Sequence, residues 1–386
     1  MFLRLGVTSF GGPVAHIGYY HQAVVEDRKW LSQDRFAELL ALCQFLPGPA
    51  SSQMGFAIGY HRAGWAGAFA AFVCFTLPSA LALIVIAALW GAAPPASGLA
   101  GGLVSGLKIT AVAIVAHAVL GMARSLAPDG ARAAVALAAL ALVSLVPMGA
   151  MAQVGAIALG AVAGAGLALA PATAPGASGG ASPLRTPPRP VAAALLAGFA
   201  ALLLILPLTT GAGVLAQLAD VAYRAGALVF GGGHVVLPLL ESGTVGAGLV
   251  GHDAFLAGYG ATQAMPGPIF TFAAYLGQVA AGLPGAFVAL ISVFAPGFLL
   301  LMGALPFWAQ ISAAPLARHA MAGANAAVVG ILAAALYQPI FTTGIARPAD
   351  FALAAALFLM LTLWRQPAMR VVLAGALGGM ALSLIG

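Results

Sequence analysis

Apolar residues run along this chain in long blocks, separated by short stretches that hold most of the Gly, Pro and charge. The stretches 191–208, 349–364 and 371–385 are apolar over most of their length, and about 20 such residues cross the ~30 Å hydrocarbon core of a bilayer. The spacing predicts helices, since barrel strands would appear as ~10-residue alternating segments. Read in order, the blocks give six apolar segments, then one, then six. The first two segments of each six are interrupted. Segment 2–25 is broken at Gly11-Gly12-Pro13 and segment 35–60 at Pro47-Gly48-Pro49, while their partners are broken at Gly231-Gly232-Gly233 and Pro266-Gly267-Pro268. Proline removes a backbone donor and clashes with the preceding turn, so no helix runs unbroken through the Pro-Gly-Pro sites. Two geometries remain open: a kinked span, or a re-entrant hairpin that returns to its starting side.

These matched breaks belong to an internal repeat. Arg4, Gly6, Phe10, Gly11 and Gly12 match Arg224, Gly226, Phe230, Gly231 and Gly232 at an offset of 220. Asp34, Phe36, Gln44, Pro47, Gly48 and Pro49 match Asp253, Phe255, Gln263, Pro266, Gly267 and Pro268 at 219. Gly64, Gly67 and Pro78 match Gly282, Gly285 and Pro296 at 218, and a weaker echo from Gly106 to Gly323 sets Lys108 opposite Asn325. The closing helices share Gly160/Gly164 and Gly375/Gly379, a small-xxx-small face that joins either the two halves or two protomers of a homodimer. The stretch from Pro171 to Pro190, rich in Pro, Gly, Ala and Ser, reads as a flexible aqueous linker.

The expected organisation is an N-terminal repeat (1–170), a cytoplasmic linker (171–190), a connecting transmembrane helix (191–215) and a C-terminal repeat (216–386). An even count per half plus one connecting helix turns the second repeat upside down, a common architecture of secondary transporters. The expected fold class is an all-α polytopic membrane protein: two inverted-topology repeats with broken or re-entrant helices, joined by one extra transmembrane helix.

Composition then removes the soluble classes. Of 386 residues 62% are hydrophobic and 6% charged, with a mean hydropathy of +1.05, whereas a soluble domain carries about 25% charged residues. The net charge of +6 does not point to nucleic acid, because the cations are scattered singly among loops. They orient the chain instead. With every segment spanning, nine Lys/Arg share the N-terminal side against five; with the first two segments of each half re-entrant, Arg28, Lys29 and Arg35 change sides and the count becomes twelve against two. The positive-inside rule favours the second arrangement. Both put the N-terminus and linker in the cytoplasm and the C-terminus in the periplasm. Met1 opens abruptly inside an apolar segment, which suggests that native residues precede it, and no cleavable leader is evident. Cys43 and Cys74 lack metal or redox spacing and are expected as buried free thiols.

The candidate chemistry sits at the breaks. Proline is favoured at the first helical position, so Pro49 starts a half-helix and leaves the amides of Ala50, Ser51 and Ser52 without intrahelical partners. A helix N-terminus attracts anions through such amides and its dipole. Pro268 repeats the arrangement with Ile269, Phe270 and Thr271. Two such ends meeting near mid-membrane, with Gly48 and Gly267 at their tips, would hold a compact dianion; the bland alternative is a pair of packing kinks. Gln44 and Gln263 either satisfy freed carbonyls or donate to substrate oxygens. Gly11, Gly12 and Gly232 allow a second pair of half-helix ends or a close crossover.

Lys108, a Lys within an apolar helix, is a candidate substrate contact beside Asn325, unless it snorkels to an interface. Arg4 and Arg224 either gather anions at opposite mouths or anchor helix ends. His234, like His16 and His117, either relays protons or packs. Asp34 and Asp253 read as helix N-caps. No nucleotide motif, HExxH or His/Cys cluster is present in the sequence, so no enzyme, metal or cofactor is expected. Transport would run on an ion gradient, a proton being the candidate, or on the substrate's own gradient.

The chain resembles the chromate ion transporter family. The resemblance rests on Phe10 to Pro13 (FGGP), Trp30-Leu31 followed by Phe36, Gln44 to Pro49, the stretch from Gly64 to Pro78, the FGGGHVVLP run from Phe230 to Pro238, and Gln263 to Pro268. It covers all but the linker. It implies a two-domain bacterial inner-membrane protein that exports chromate and confers resistance. The alternatives are transport of sulfate or a related oxyanion, or a passive anion channel.

Overall fold

The computed structural model describes residues 1–9, 12–91, 97–146, 150–169, 184–230 and 233–385, and every regular element among them is helical. The first half holds α1 (Phe2–Thr8), α2 (Gly12–His21), α3 (Gln33–Phe45), α4 (Ala50–Trp90), α5 (Gly98–Leu126), α6 (Gly130–Leu145) and α7 (Ala150–Gly166). Helix α8 (Arg189–Ile205) connects to the second half, which comprises α9 (Val214–Ala227), α10 (Val236–Thr244), α11 (His252–Gln263), α12 (Phe272–Ala304), α13 (Trp308–Ala313), α14 (Pro315–Ala335), α15 (Thr342–Gly344), α16 (Pro348–Thr362) and α17 (Ala368–Ile385). Among the described residues five apolar stretches are long enough to cross a membrane: Ala50–Trp90, Gly98–Leu126, Arg189–Ala212, Ile269–Ile311 and Pro315–Gly344.

Local chemistry sets the helix starts. The Ser32 side chain accepts from the Arg35 amide to open α3, and Asp129 does the same for Arg132 at α6. These contacts satisfy amides that the first helical turn leaves unpaired. The expected caps at Asp34 and Asp253 are corrected: Asp34 lies within the first turn behind Ser32, and α11 is capped by Gly251. Asp253 reaches sideways instead, as described below.

Helix α4 is a hairpin of two arms, 50–62 and 65–90. Ala63 and Gly64 leave helical geometry, with Gly64 at φ 62°. Eight residues of straight helix span about 12 Å, yet a Cβ on Gly59 would collide with the Gly67 carbonyl, and the reverse holds. Helix α12 repeats the reversal at Ala281-Gly282, with Gly277 against Gly285. The breaks upstream also fold back. The Arg62 guanidinium sits 4.8 Å from the Trp30 ring centre, so the far end of the 50–62 arm returns to the level where α3 begins. The Phe2 and Tyr20 rings lie 6.3 Å apart, closing α1 on α2 in the same way. Of the two geometries open from sequence, the first half adopts hairpins.

The 65–90 arm crosses the apolar layer with Trp65, Phe69, Val73, Leu77, Leu81 and Val85 exposed, one residue per helical turn in a lipid-facing stripe. The halves are interlocked at their closing helices. Gly160 and Gly164 of α7 meet Gly323 of α14, while Gly375 and Gly379 of α17 meet Gly106 and Gly102 of α5, backbone against backbone. The small-residue faces therefore join the two halves. Both cysteines are free; Cys43 is buried and Cys74 half-buried.

Candidate anion site

The Pro-Gly-Pro loops meet the other half's glycine break in a reciprocal pair of hydrogen bonds. The Gly48 amide donates to the Val229 carbonyl at 2.7 Å, and the Gly267 amide donates to the Ser9 carbonyl at 2.9 Å. Ser9 and Val229 are repeat partners, as are Gly48 and Gly267. Gly48 takes φ 124° and Gly267 φ 99°, backbone that favours glycine. Each loop also docks on the opposite spanning arm: Gly48 against Gly297, Gly267 against Ser79. Each tip is thus seated in the other half rather than tip to tip.

Behind the first tip, the first helical bond of the 50–62 arm runs from the Gln53 amide to the Pro49 carbonyl, leaving the amides of Ala50, Ser51 and Ser52 ahead of it. Ser51, Ser52 and Gln53 are buried. The Ser51 hydroxyl lies 3.3 Å from His16 Nδ1, and His16 Nε2 lies 3.1 Å from the Ser9 carbonyl. A carbonyl only accepts, so Nε2 carries the proton and neutral Nδ1 accepts from Ser51. Gln53 Nε2 donates to the carbonyls of Pro47 and Gly297, at 3.1 and 2.9 Å, tying the tip to the other half. Ser9 Oγ, Ser52 Oγ, Gln53 Oε1 and Thr76 Oγ1 have no partner among the described residues, and buried polar atoms left so are costly.

The second tip is chemically different. Ile269, Phe270 and Thr271 form a tight 3-10 turn in which the Thr271 amide and hydroxyl both donate to the Pro268 carbonyl. That amide is spent, contrary to the expectation of three free donors. Where the first half has Ser51, Gln53 and Thr76, the repeat offsets give Phe270, Phe272 and Phe294, all buried. One half keeps a polar cradle and the other fills the matched position with rings. Gln53 and Thr76 were missed by sequence reading; the signal was this polar-to-Phe mismatch between otherwise matched repeats.

The remaining candidates spread out. Gln44 is exposed while Gln263 is buried, its Nε2 without a partner among the described residues. Lys108 Nζ bonds Asp253 Oδ1 at 2.6 Å, tying α5 to α11, so its partner is Asp253 rather than Asn325, whose Oδ1 has none among the described residues. Arg224 pairs with buried Asp220 one turn away and anchors α9, while Arg4 is exposed on α1. His234 Nδ1 and Tyr259 Oη share a 2.7 Å hydrogen bond. Gly12, at φ 75°, starts α2; Gly11 and Gly232 lie outside the described residues. Because Asp253 is 66% exposed, a double-mutant cycle of Lys108→Gln and Asp253→Asn should give a coupling of only ~0.2–1 kcal/mol in unfolding midpoints. A coupling several times larger would mark a desolvated pair.

Hairpins that carry a polar cradle into an all-helical, multi-pass membrane protein have the build of a membrane transporter. The chain belongs to the chromate transporter family, whose model matches residues 1–167 and 216–380. It is 31% identical over 367 residues to a probable chromate transport protein of Synechococcus elongatus, covering 87% of this chain and 82% of that one. It is 28% identical to a chromate transport protein of Pseudomonas aeruginosa, covering 86% and 78%, and 27% identical to one of Cupriavidus metallidurans, covering 87% and 80%. No solved structure matches it.

Proposed function

We propose that the protein is a secondary transporter that exports chromate from the cytoplasm across the bacterial inner membrane by alternating access, and so confers resistance. The observation that carries this is the cradle at the start of the 50–62 arm. Three helix-start amides and the hydroxyls of Ser51 and Ser52 gather there, with no carboxylate paired to them among the described residues. A dianion moved from water needs compensating donors, and a helix N-terminus supplies both N–H groups and positive potential.

His16 gives the cradle a proton dependence. In its neutral form it draws the Ser51 hydroxyl proton toward Nδ1; as imidazolium it donates from both nitrogens. Ser51 then accepts from His16 and is free to donate to the anion. Binding of a proton and binding of a dianion favour each other in this scheme.

The inverted arrangement of the halves is supported by the Arg185 guanidinium, which sits beside Gly64. The chain from Gly64 to Arg185 contains four membrane crossings, 65–90, 98–126, 130–145 and 150–166, an even number that returns it to one face. Helix α8 then crosses once before the second half begins. The cytoplasmic N-terminus, periplasmic C-terminus and cytoplasmic linker follow from the distribution of Lys and Arg.

Everted membrane vesicles supplied with labelled chromate test the proposal. With proton and dianion carried together, net charge −1, saturable accumulation driven by an electrical gradient positive inside the vesicle, and opposed by a lumen-acid proton gradient, is the expected result. Flux that never saturates and shows no counterflow would make the protein a channel. Amides and hydroxyls read charge and tetrahedral shape, so excess sulfate should compete; sulfate movement with no chromate movement would overturn the substrate.

A further inference from the structure

We propose that the basic cluster at the reversal of α4 is a binding site for the phosphate headgroup of an anionic phospholipid. Three guanidiniums converge on one small surface. Arg62 and Arg28 lie 4.8 and 5.7 Å from the centre of the Trp30 ring. Arg185, arriving from a distant part of the chain, lies 5.6 Å from the Tyr60 ring centre, and its amide donates to His61 Nδ1 at 3.2 Å. All three arginines are exposed, and among the described residues none of them forms an ion pair. The nearest acidic residues in sequence do not neutralise them: Glu26 turns to His21 at 3.3 Å, and Asp27 is exposed. The rings hold the guanidiniums in place; apart from a long contact of Arg28 Nη1 with the Ala23 carbonyl at 3.5 Å, their N–H groups have no partner among the described residues, and such forks suit bidentate binding of phosphate oxygens.

The lipid commitment comes from what lies immediately below. The lipid-facing stripe of the 65–90 arm begins at Trp65, whose ring is 5.1 Å from Tyr60. The cluster therefore crowns a column of exposed apolar side chains, with Trp and Tyr at the boundary as in an interfacial aromatic belt. A phospholipid standing against Phe69 and Val73 would bring its headgroup to these arginines. The matched reversal of α12 has an equivalent exposed stripe in Leu283, Phe287 and Ile291, but Ala280 and Leu249 stand where Arg62 and Trp30 would be. Of the two matched reversals only the first carries the cluster, as selection for the anionic surface of one leaflet requires.

Native mass spectrometry of the purified full-length protein with phosphatidylglycerol or phosphatidylcholine is the test. Phosphatidylglycerol should be retained at least about tenfold better, and each of Arg28→Gln, Arg62→Gln and Arg185→Gln should weaken it about fivefold, with Arg→Lys recovering only part of the loss because the ammonium keeps the charge but not the bidentate fork. The control double variant Arg365→Gln/Arg370→Gln, which removes two charges where each single variant removes one, should retain it. Equal retention of the two lipids, or unchanged phosphatidylglycerol binding in all three single variants, would overturn the proposal. Inorganic phosphate binding as tightly as the lipid would also overturn it, by showing a soluble-anion site. Single substitutions of exposed side chains keep the test independent of folding, and it does not depend on whether chromate is carried.

Discussion

Chromate flux should fall at least about a hundredfold in a Ser51→Phe chain that still reaches the membrane at the parental level. The fold already contains the answer to whether a phenyl ring can stand at this point of a half-helix, because Phe270 occupies the matched position of the second half and is buried. There it packs against Phe294, 5.7 Å between ring centres. In the first half the ring would meet Thr76 instead and lie over the amides of Ala50 and Ser52. It would remove a hydroxyl and block the remaining donors; a hydrogen bond to a charged group contributes about 1.5–3 kcal/mol, and steric exclusion adds to it. Ser51→Ala should be milder, about tenfold, since only the hydroxyl goes. The converse replacement, Phe270→Ser, should leave flux within a fewfold, because the Thr271 amide is already used. Flux in vesicles, normalised to protein in the membrane, decides. Unimpaired transport by Ser51→Phe would remove the first half-helix as the anion site.

A Gly106→Leu chain should fail to assemble. The position has no room for any side chain: a Cβ there would strike the carbonyl of Gly375 and the backbone of Ala376. Relief requires α5 and α17 to separate, which also breaks the Gly102–Gly379 approach one turn away. Adding even a few methylenes to a packed interior costs about 1–3 kcal/mol. Here the obstacle is backbone, which cannot rotate aside as a side chain can. Size-exclusion profiles and a thermal melt of the detergent-solubilised protein should show loss of the monodisperse folded species. Gly121→Leu on the same helix, where nothing stands within 4 Å of the added Cβ, should behave as the parent. Equal behaviour of the two variants would show that the close approach of α5 and α17 is not required.

Much of this was legible in the chain because repetition amplifies weak signals. A lone Pro-Gly-Pro is a turn; two at matched positions, each before a reversal at a matched glycine, define an architecture. The helical class followed from apolar block length, and the small-residue faces on α7 and α17 were readable from Gly spacing. Which faces they would meet was not, since glycine spacing specifies closeness and never the partner. The same limit explains Lys108: its isolation in an apolar helix marked it, but the carboxylate it pairs with is 145 positions away. Asp253 failed as a cap because a neighbouring helix offered a stronger, charged partner. In the cradle, the helix-start amides followed from proline chemistry, whereas Gln53 and Thr76 became meaningful only once their side chains were seen beside the tip.

The exchange of closing helices sets an order of events during synthesis. Gly106 waits for Gly375, roughly 270 residues later in the chain, and at the usual ~5–20 residues per second that is an interval of roughly 15–50 s. For that time α5 stands in the bilayer with an open glycine groove, and α7 likewise until α14 arrives. Once both grooves are filled, α5 is fastened to α17 and α14 to α7, so a body that rocks during transport would be assembled from both ends of the gene. On the alternating-access proposal, the unit of motion would then not be the unit of duplication.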